Sequence, residues 1–210
     1  MTHLQKSYEL KAQTVIKHFA KRNIEGYYCA NKDEALKLML GFIEEGKSIS
    51  WGGSESLNEL GIKPILENGN YVLVDRDKFT GEERTQKMKE AFFSDYYLTS
   101  SNAVSQDGML VNIDGNGNRV AAMSFGPKNV IIVVGMNKIV PTVENAVERV
   151  RNYATPPNTI RLGYDTPCNK SGVCSDCLVK DCVCGQILIT RFNRNPGRIK
   201  VIIVGETLGF

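Results

Sequence analysis

Histidine is scarce in this chain. Among 210 residues only His3 and His18 are histidines, one just before and one within the first predicted helix. No Ser-His-Asp triad is legible, and the Gly-x-Ser-x-Gly elbow of a hydrolase nucleophile is absent. Without a cysteine or a second histidine nearby in sequence, each reads as a solvent-facing or packing residue. Long apolar runs are missing as well, so nothing approaches the ~20 residues of a membrane span. The start, Met1 to Lys11, lacks the apolar centre of a signal peptide. A soluble, cytoplasmic protein with no membrane partner is the expectation. Charge of one sign is also lacking: the net charge is +3, carried by the seven basic and four acidic residues of 161–210. Those basic residues are scattered and not interleaved with aromatics, so no nucleic-acid partner is expected. No internal repeat or low-complexity segment occurs. With 42% hydrophobic and 23% charged residues, the composition is that of a globular protein.

What is present alternates between the two secondary-structure periods. Tyr8, Ala12, Val15, Ile16 and Phe19 lie on one face of a helix over 4–21. Ile24 to Cys29 reads as a strand. Asn31 caps a second helix with Glu34 in the capping-box position, its stripe is Ala35, Met39, Phe42 and Ile43, and Gly46 ends it. Ser48 to Trp51 is a strand running into Gly52-Gly53, and Ser54 caps the helix that follows. Glycines there let a backbone approach a ligand, and a helix start attracts an anion. The loop is neither a Walker loop nor the dinucleotide fingerprint. Tyr71 to Val74 is a strand, and Gly81 to Phe93 a charged helix burying Met88, Phe92 and Phe93. Val130 to Val134 is a continuous β-branched run suited to a strand covered on both faces. Pro141 starts a helix, and Ala154 to Gly163 is a connector. Gln186–Phe192 and Ile199–Val204 are strands linked by Asn195-Pro196-Gly197. This alternation predicts an α/β fold, a three-layer αβα sandwich with a mainly parallel sheet.

The stretch from Thr99 to Pro127 is the most suggestive. Thr99-Ser100-Ser101-Asn102 passes through Asp107-Gly108 into Met109, Val111 and Ile113. It turns at Asp114-Gly115-Asn116-Gly117-Asn118 and returns through Val120, Ala121 and Ala122. The expectation is a β-hairpin insertion with polar groups converging on a small ligand. The plainer reading is that Gly, Asn and Asp are turn residues. Loops that follow parallel strands meet at one edge of a sheet. A small anionic metabolite is therefore expected among Gly52, Gly53, Ser54, Ser101, Asn102, Asp107, Gly108, Arg119, Gly135 and Lys138. A general base would have to be a carboxylate or lysine. Asp107, Asp114 and Glu206 are the candidates, with salt bridges and turn caps as the alternative for each.

Five of the six cysteines lie in the order Cys168-x5-Cys174-x2-Cys177-x4-Cys182-x-Cys184. They are too local for a disulfide framework. Thiolates grouped this way can close around one soft metal. Zinc takes four tetrahedral ligands with Cys-x2-Cys as a common half-site. An iron–sulfur cluster takes four thiolates too, although the ferredoxin spacing is absent. The expected ligands of zinc or an iron–sulfur cluster are Cys168, Cys174, Cys177 and Cys184, with Cys182 left over. Disulfides or free thiols remain the alternative. Cys29 stands apart and reads as a small buried residue. The chain thus divides into a core over 1–160, a Cys-rich segment over 161–185, and strands over 186–210 that complete the domain.

Ser50-Trp51-Gly52-Gly53-Ser54, Leu98 to Ala103, Asp107-Gly108, Leu110 to Val120, Phe125-Gly126-Pro127, Val134 to Lys138, Thr166-Pro167-Cys168 and Gly205 to Phe210 resemble the lactate-utilisation (LUD) domain family. The Cys-rich tail is similar to a short, stand-alone branch of it. The resemblance implies a fold similar to the sugar-phosphate isomerase and coenzyme A transferase superfamily. It also implies a link to lactate oxidation, as a subunit or accessory beside iron–sulfur oxidoreductase subunits. Three readings follow: a protein binding a small anionic organic ligand, a metal or redox module built on the cysteines, and an isomerase or transferase on the same fold. A homo-oligomer stays open.

Overall fold

The computed structural model describes all residues, 1–210. In chain order the strands are β1 (Glu25–Cys29), β2 (Ser48–Trp51), β3 (Val72–Val74), β4 (Tyr96–Thr99), β5 (Ala103–Ser105), β6 (Leu110–Asp114), β7 (Asn129–Gly135), β8 (Ile139–Val140), β9 (Gln186–Thr190) and β10 (Ile199–Val204). The helices are α1 (His3–Ala20), α2 (Lys32–Gly41), α3 (Glu55–Leu60), α4 (Ile62–Glu67), α5 (Gly81–Glu90), α6 (Asn118–Phe125), α7 (Val143–Arg149), α8 (Thr155–Leu162) and α9 (Pro167–Ser171). No helix is long and apolar enough to cross a membrane.

The central sheet has the order β1-β10-β7-β4-β2-β3, and every pairing in it is parallel. Its inner strands are buried on both faces, which is why β7 reads as an unbroken aliphatic run from Val130 to Val134. Val130, Ile132 and Val134 pack on one side with Ala12, Val15 and Phe19 of α1 and with Ala122 and Met123 of α6. Ile131 and Val133 pack on the other with Ala35 and Met39 of α2 and with Leu57 and Leu66 of α3 and α4. Burying each of the larger aliphatic and aromatic side chains among these contributes about 1.5–3 kcal/mol. This is the three-layer αβα arrangement that the alternation of periods predicts.

A second sheet, β8-β5-β6-β9, leaves the first through Ser100-Ser101-Asn102. Its outer face holds a third core of Ala103, Val111 and Ile113 against Ala146, Val150 and Ala154. The hairpin expected around Asp114 to Asn118 lies elsewhere. It is β5–β6, antiparallel, turning at Gln106 to Gly108, where Gly108 takes a φ of +85°. The Asp114 turn instead starts a helix. Gly117 takes a φ of +81°, and the Asp114 carboxylate accepts from the amides of Arg119 and Val120. The expected return arm is therefore α6, whose Val120 and Met123 are buried three residues apart. A Val-Ala-Ala run is too short to separate a period of 2 from one of 3.6.

Other expectations change in detail. The second helix ends at Gly41 rather than Gly46. Phe93 is 90% exposed, because the last turn after α5 tightens and carries it away from the sheet. Pro141 precedes the Thr142 cap instead of opening α7. The connector Ala154 to Gly163 is largely α8, with prolines in its first turn where no amide donor is needed. The last two strands do not pair: β9 joins β6, and β10 lies between β1 and β7.

Candidate anion site

Because the central sheet is parallel, the loops after β2, β3, β4 and β7 leave by one edge. They bring Gly52-Gly53, Asp75-Arg76-Asp77, Ser100 to Asn102 and Met136 to Lys138 together. A cavity of about 570 Å³ opens there. It is lined by Gly53, Ser54, Asn102, Asp114, Arg119 and Lys138 of the sequence-predicted set. Across the whole lining, seven lysine and arginine side chains face four carboxylates. Besides Arg119 and Lys138, the positive charge comes from Lys63, Arg76, Arg84, Arg161 and Lys180.

Arg119 is 7% exposed and its donors are used within the protein. Nη1 donates to Asn112 Oδ1 at 2.7 Å and to the Ser100 carbonyl at 3.3 Å. Nη2 donates to Asn102 Oδ1 at 2.8 Å and to the Ile113 carbonyl at 2.7 Å. Nε lies 3.7 Å from Asp114 Oδ1. The same two asparagines close the network: Asn102 N–H donates to Asn112 Oδ1, and Ile113 N–H to Asn102 Oδ1. Arg149 adds a donor bond from Nη1 to the Asn102 carbonyl at 2.8 Å. Arg119 thus ties the β4–β5 crossover to β6. It positions the floor of the cavity rather than offering free donors to a ligand.

The paired glycines make room for arginines. A Cβ on Gly52 would stand 2.9 Å from Arg119 Cδ, 3.1 Å from Thr99 Oγ1 and 3.1 Å from Tyr97 Oη. A Cβ on Gly53 would stand 3.0 Å from Arg76 Nη2. The Gly52 amide is already given to the Leu98 carbonyl at 3.1 Å. The positive field in the cavity comes mainly from side chains, not from amides freed by glycine. Ser54 caps the start of α3 by accepting from Leu57 N–H, as its position in sequence suggests.

Two cations in the lining have unspent capacity. Arg76 Nε is buried with no hydrogen-bond partner, its nearest carboxylate being Asp77 Oδ1 at 3.6 Å. With its amide turned to satisfy both ends, Asn118 accepts from Arg76 Nη1 at 2.6 Å. Burial works to raise the Asp77 carboxyl, but Arg76, Lys63 and Arg84 hold it below its ordinary value. Lys138 is 4% exposed and donates to Ser56 Oγ at 2.7 Å and Ser100 Oγ at 3.1 Å. It forms no ion pair. Burial, with repulsion from Arg149 and Arg119, brings its ammonium down to about 7.

Several predicted residues stand outside the cavity. Asp107 and Gly108 sit at the far turn of the β5–β6 hairpin. There Asp107 pairs with Arg22 at 2.8 Å, and a Cβ on Gly108 would strike the backbone of His18 and Phe19 at 3.1 Å. Gly135 packs against the C-terminal tail, where a Cβ would stand 2.5 Å from Leu208 N. Glu206 is exposed and accepts from Lys32 N–H at 3.1 Å. Ser101 lies beneath the floor, donating to the Ala103 carbonyl at 2.9 Å. Of the candidate bases only Asp114 lines the cavity, and it is engaged with α6 and Arg119. Sequence reasoning missed Arg76, which stands two residues beyond the Val72–Val74 strand with no pattern to set it apart.

A second, smaller cavity of about 130 Å³ is lined by all of Cys168, Cys174, Cys177, Cys182 and Cys184. All are unpaired thiols. Cys168 is buried, with the hydroxyls of Thr166 and Thr159 at 3.3 and 3.5 Å from its sulfur. An all-thiol set suits zinc or an iron–sulfur cluster chemically. As residues 172–185 lie, no three such side chains are close enough to hold an ion.

The LUD domain model matches residues 12–204. The chain belongs to the LUD domain family. That family is linked to lactate utilisation. Comparison with curated proteins gave no match. Among solved structures, a DUF162 family protein from Deinococcus radiodurans is similar at a TM-score of 0.55 and 16% identity, over 94% of this chain and 98% of that one. At that identity the similarity speaks to the fold. Ribose 5-phosphate isomerase A from Methanocaldococcus jannaschii matches 52% of this LUD chain and 53% of its own, at 17% identity and a TM-score of 0.34. That score is too low to bear on fold or function.

Proposed function

We propose that this LUD domain protein binds a small anionic organic ligand, of the carboxylate class, in the cavity above β2, β3, β4 and β7. The observation that carries this is the pairing of Arg76 and Lys138 in one basic cavity. One has a buried donor with no acceptor, and the other has no counter-ion. An unpaired buried donor costs about 1–3 kcal/mol, and an anion would recover that loss. The volume suits small organic ligands, which occupy sites of about 300–1,000 Å³. Family membership favours a three-carbon carboxylate and a role as subunit or accessory in carboxylate oxidation with iron–sulfur partners.

Isothermal titration with lactate, pyruvate, ribose 5-phosphate and an acyl-CoA tests the reading. Binding of a carboxylate that weakens at least about tenfold in Arg76→Ala supports it. No heat with any of the four, or binding indifferent to Arg76→Ala, defeats it. Preference for ribose 5-phosphate or acyl-CoA would move the class to phosphate esters.

A further inference from the structure

The coil between α9 and β9, residues 172–185, has two faces with different chemistry. Its cysteines, with Cys168, surround the smaller cavity. Lys180, Asp181, Cys182 and Val183 line the basic cavity. Ile113, Thr155, Cys182 and Val183 belong to both linings, so the two spaces share a thin wall. The wall also abuts the turn that carries Asp114. A Cβ on Gly115 would stand 3.2 Å from Val183 Cα, and one on Gly185 would stand 3.0 Å from the Gly115 carbonyl.

Few side-chain bonds reach this coil from beyond α9: Arg151 to Asp176, Asp165 N–H to Asp181 Oδ2 at 3.2 Å, and the Thr155 hydroxyl beside Cys184 Sγ at 3.7 Å. The coil contains no helix or strand, Leu178 is 98% exposed, and Asp176 holds a φ of +53° without being glycine. Yet five thiols turn toward one small space rather than scattering into solvent. Four thiolates around one ion are the usual device for holding such a segment without a core.

We infer that Cys168, Cys174, Cys177 and Cys184 hold one soft metal centre, zinc or an iron–sulfur cluster, and that this centre fixes the wall at 180–183. Binding releases the thiol protons to solvent and draws the coil inward, which brings the four sulfurs from a shared cavity into one coordination sphere. Cys182 is not a ligand in this assignment. Alone among the five it also lines the basic cavity. The metal centre stands independently of the proposed anion. Only the consequence for ligand affinity rests on that reading.

The test starts from full-length protein purified without oxygen. Elemental analysis should find about one zinc per chain, or iron with matching sulfide and a brown colour. Metal-depleted protein titrated with cobalt(II) should develop thiolate charge-transfer absorption and tetrahedral d–d bands at one equivalent. Cys174→Ser and Cys177→Ser should each lose that spectrum, while Cys182→Ser keeps it. Trypsin cleavage after Lys180 should quicken about tenfold on metal removal, a readout that needs no ligand. No metal under anaerobic purification together with no cobalt(II) spectrum overturns the inference. So does a spectrum that depends on Cys182 and not on Cys174. Metal binding with unchanged cleavage at Lys180 overturns the wall.

Discussion

Arg76 lays its guanidinium against Gly53, so close that a methyl group there would stand 3.0 Å from Nη2. The adjacent Gly52 faces something stiffer, with Arg119 Cδ, Thr99 Oγ1 and Tyr97 Oη all within 3.1 Å of an added Cβ. Two neighbouring glycines should therefore respond differently to alanine. Gly52→Ala must push a buried, fully bonded arginine and is expected to lose ~1–3 kcal/mol in urea unfolding. Gly53→Ala meets only the terminal Nη2 of Arg76 and should stay within ~0.5 kcal/mol, while carboxylate affinity falls severalfold. Equal losses of stability at the two positions would show that Arg76 is as fixed as Arg119.

The two arginines of the cavity separate in the same way. Arg119→Met strips partners from two carbonyls and two asparagine side chains, all buried or half-buried. The expected cost is ~3–5 kcal/mol, read by denaturant midpoint. Arg76→Met removes a guanidinium whose Nε has no partner. Its stability should change by less than ~1 kcal/mol while ligand binding is lost. An Arg119 variant that folds normally would mean that the crossover from β4 to β5 is held by other bonds.

Asp107 gives a control on the opposite side of the molecule. Its partner Arg22 also donates to the carbonyls of Asp107 and Arg191, and the Asp107 side chain is 46% exposed. Screening keeps such a pair weak. Asp107→Asn is expected to cost under ~1 kcal/mol and to leave titration with lactate or pyruvate unchanged. A loss of binding in this variant would relocate the ligand to the β5–β6 turn.

How far the sequence was readable follows from which interactions are local. The strand β7, the Ser54 cap and the Asn31 cap are decided within a few residues, and each lies where its pattern suggests. Gly53 and Asn102 line one cavity because parallel strands send their loops to one edge, a rule that needs only the strand order of helices and strands in sequence. Asp114 to Asn118 misleads because the same polar residues serve a hairpin turn and a helix start. The choice was made by whether Val120 and Met123 could reach a core that no local pattern reveals. Asp107-Gly108 misleads for a related reason: as a turn it is local, but its neighbour, α1, is distant in sequence. Arg76 was invisible because one arginine after a three-residue strand resembles any surface charge.

Lys138 links the cavity to pH. Its ordinary value is about 10.4, and burial lowers it to about 7 in the folded protein. Between those two values the unfolded chain holds a proton that the folded chain lacks. Stability therefore rises with pH across that window, and the penalty for burying the ammonium is fully present below about pH 7. Lys138→Met removes the penalty. Ser56 and Ser100 keep their donor bonds to the carbonyls of Leu208 and Ser101. The variant should gain ~1–3 kcal/mol at acid pH and show a flatter profile from about pH 7 to 10, read by urea unfolding at stepped pH. An anion in the cavity reverses the balance by favouring the ammonium, so binding above about pH 7 should take up a proton and weaken as pH rises. Titration calorimetry in buffers of different ionisation heat measures that uptake. Proton release, or an affinity that climbs with pH, would place the bound anion away from Lys138.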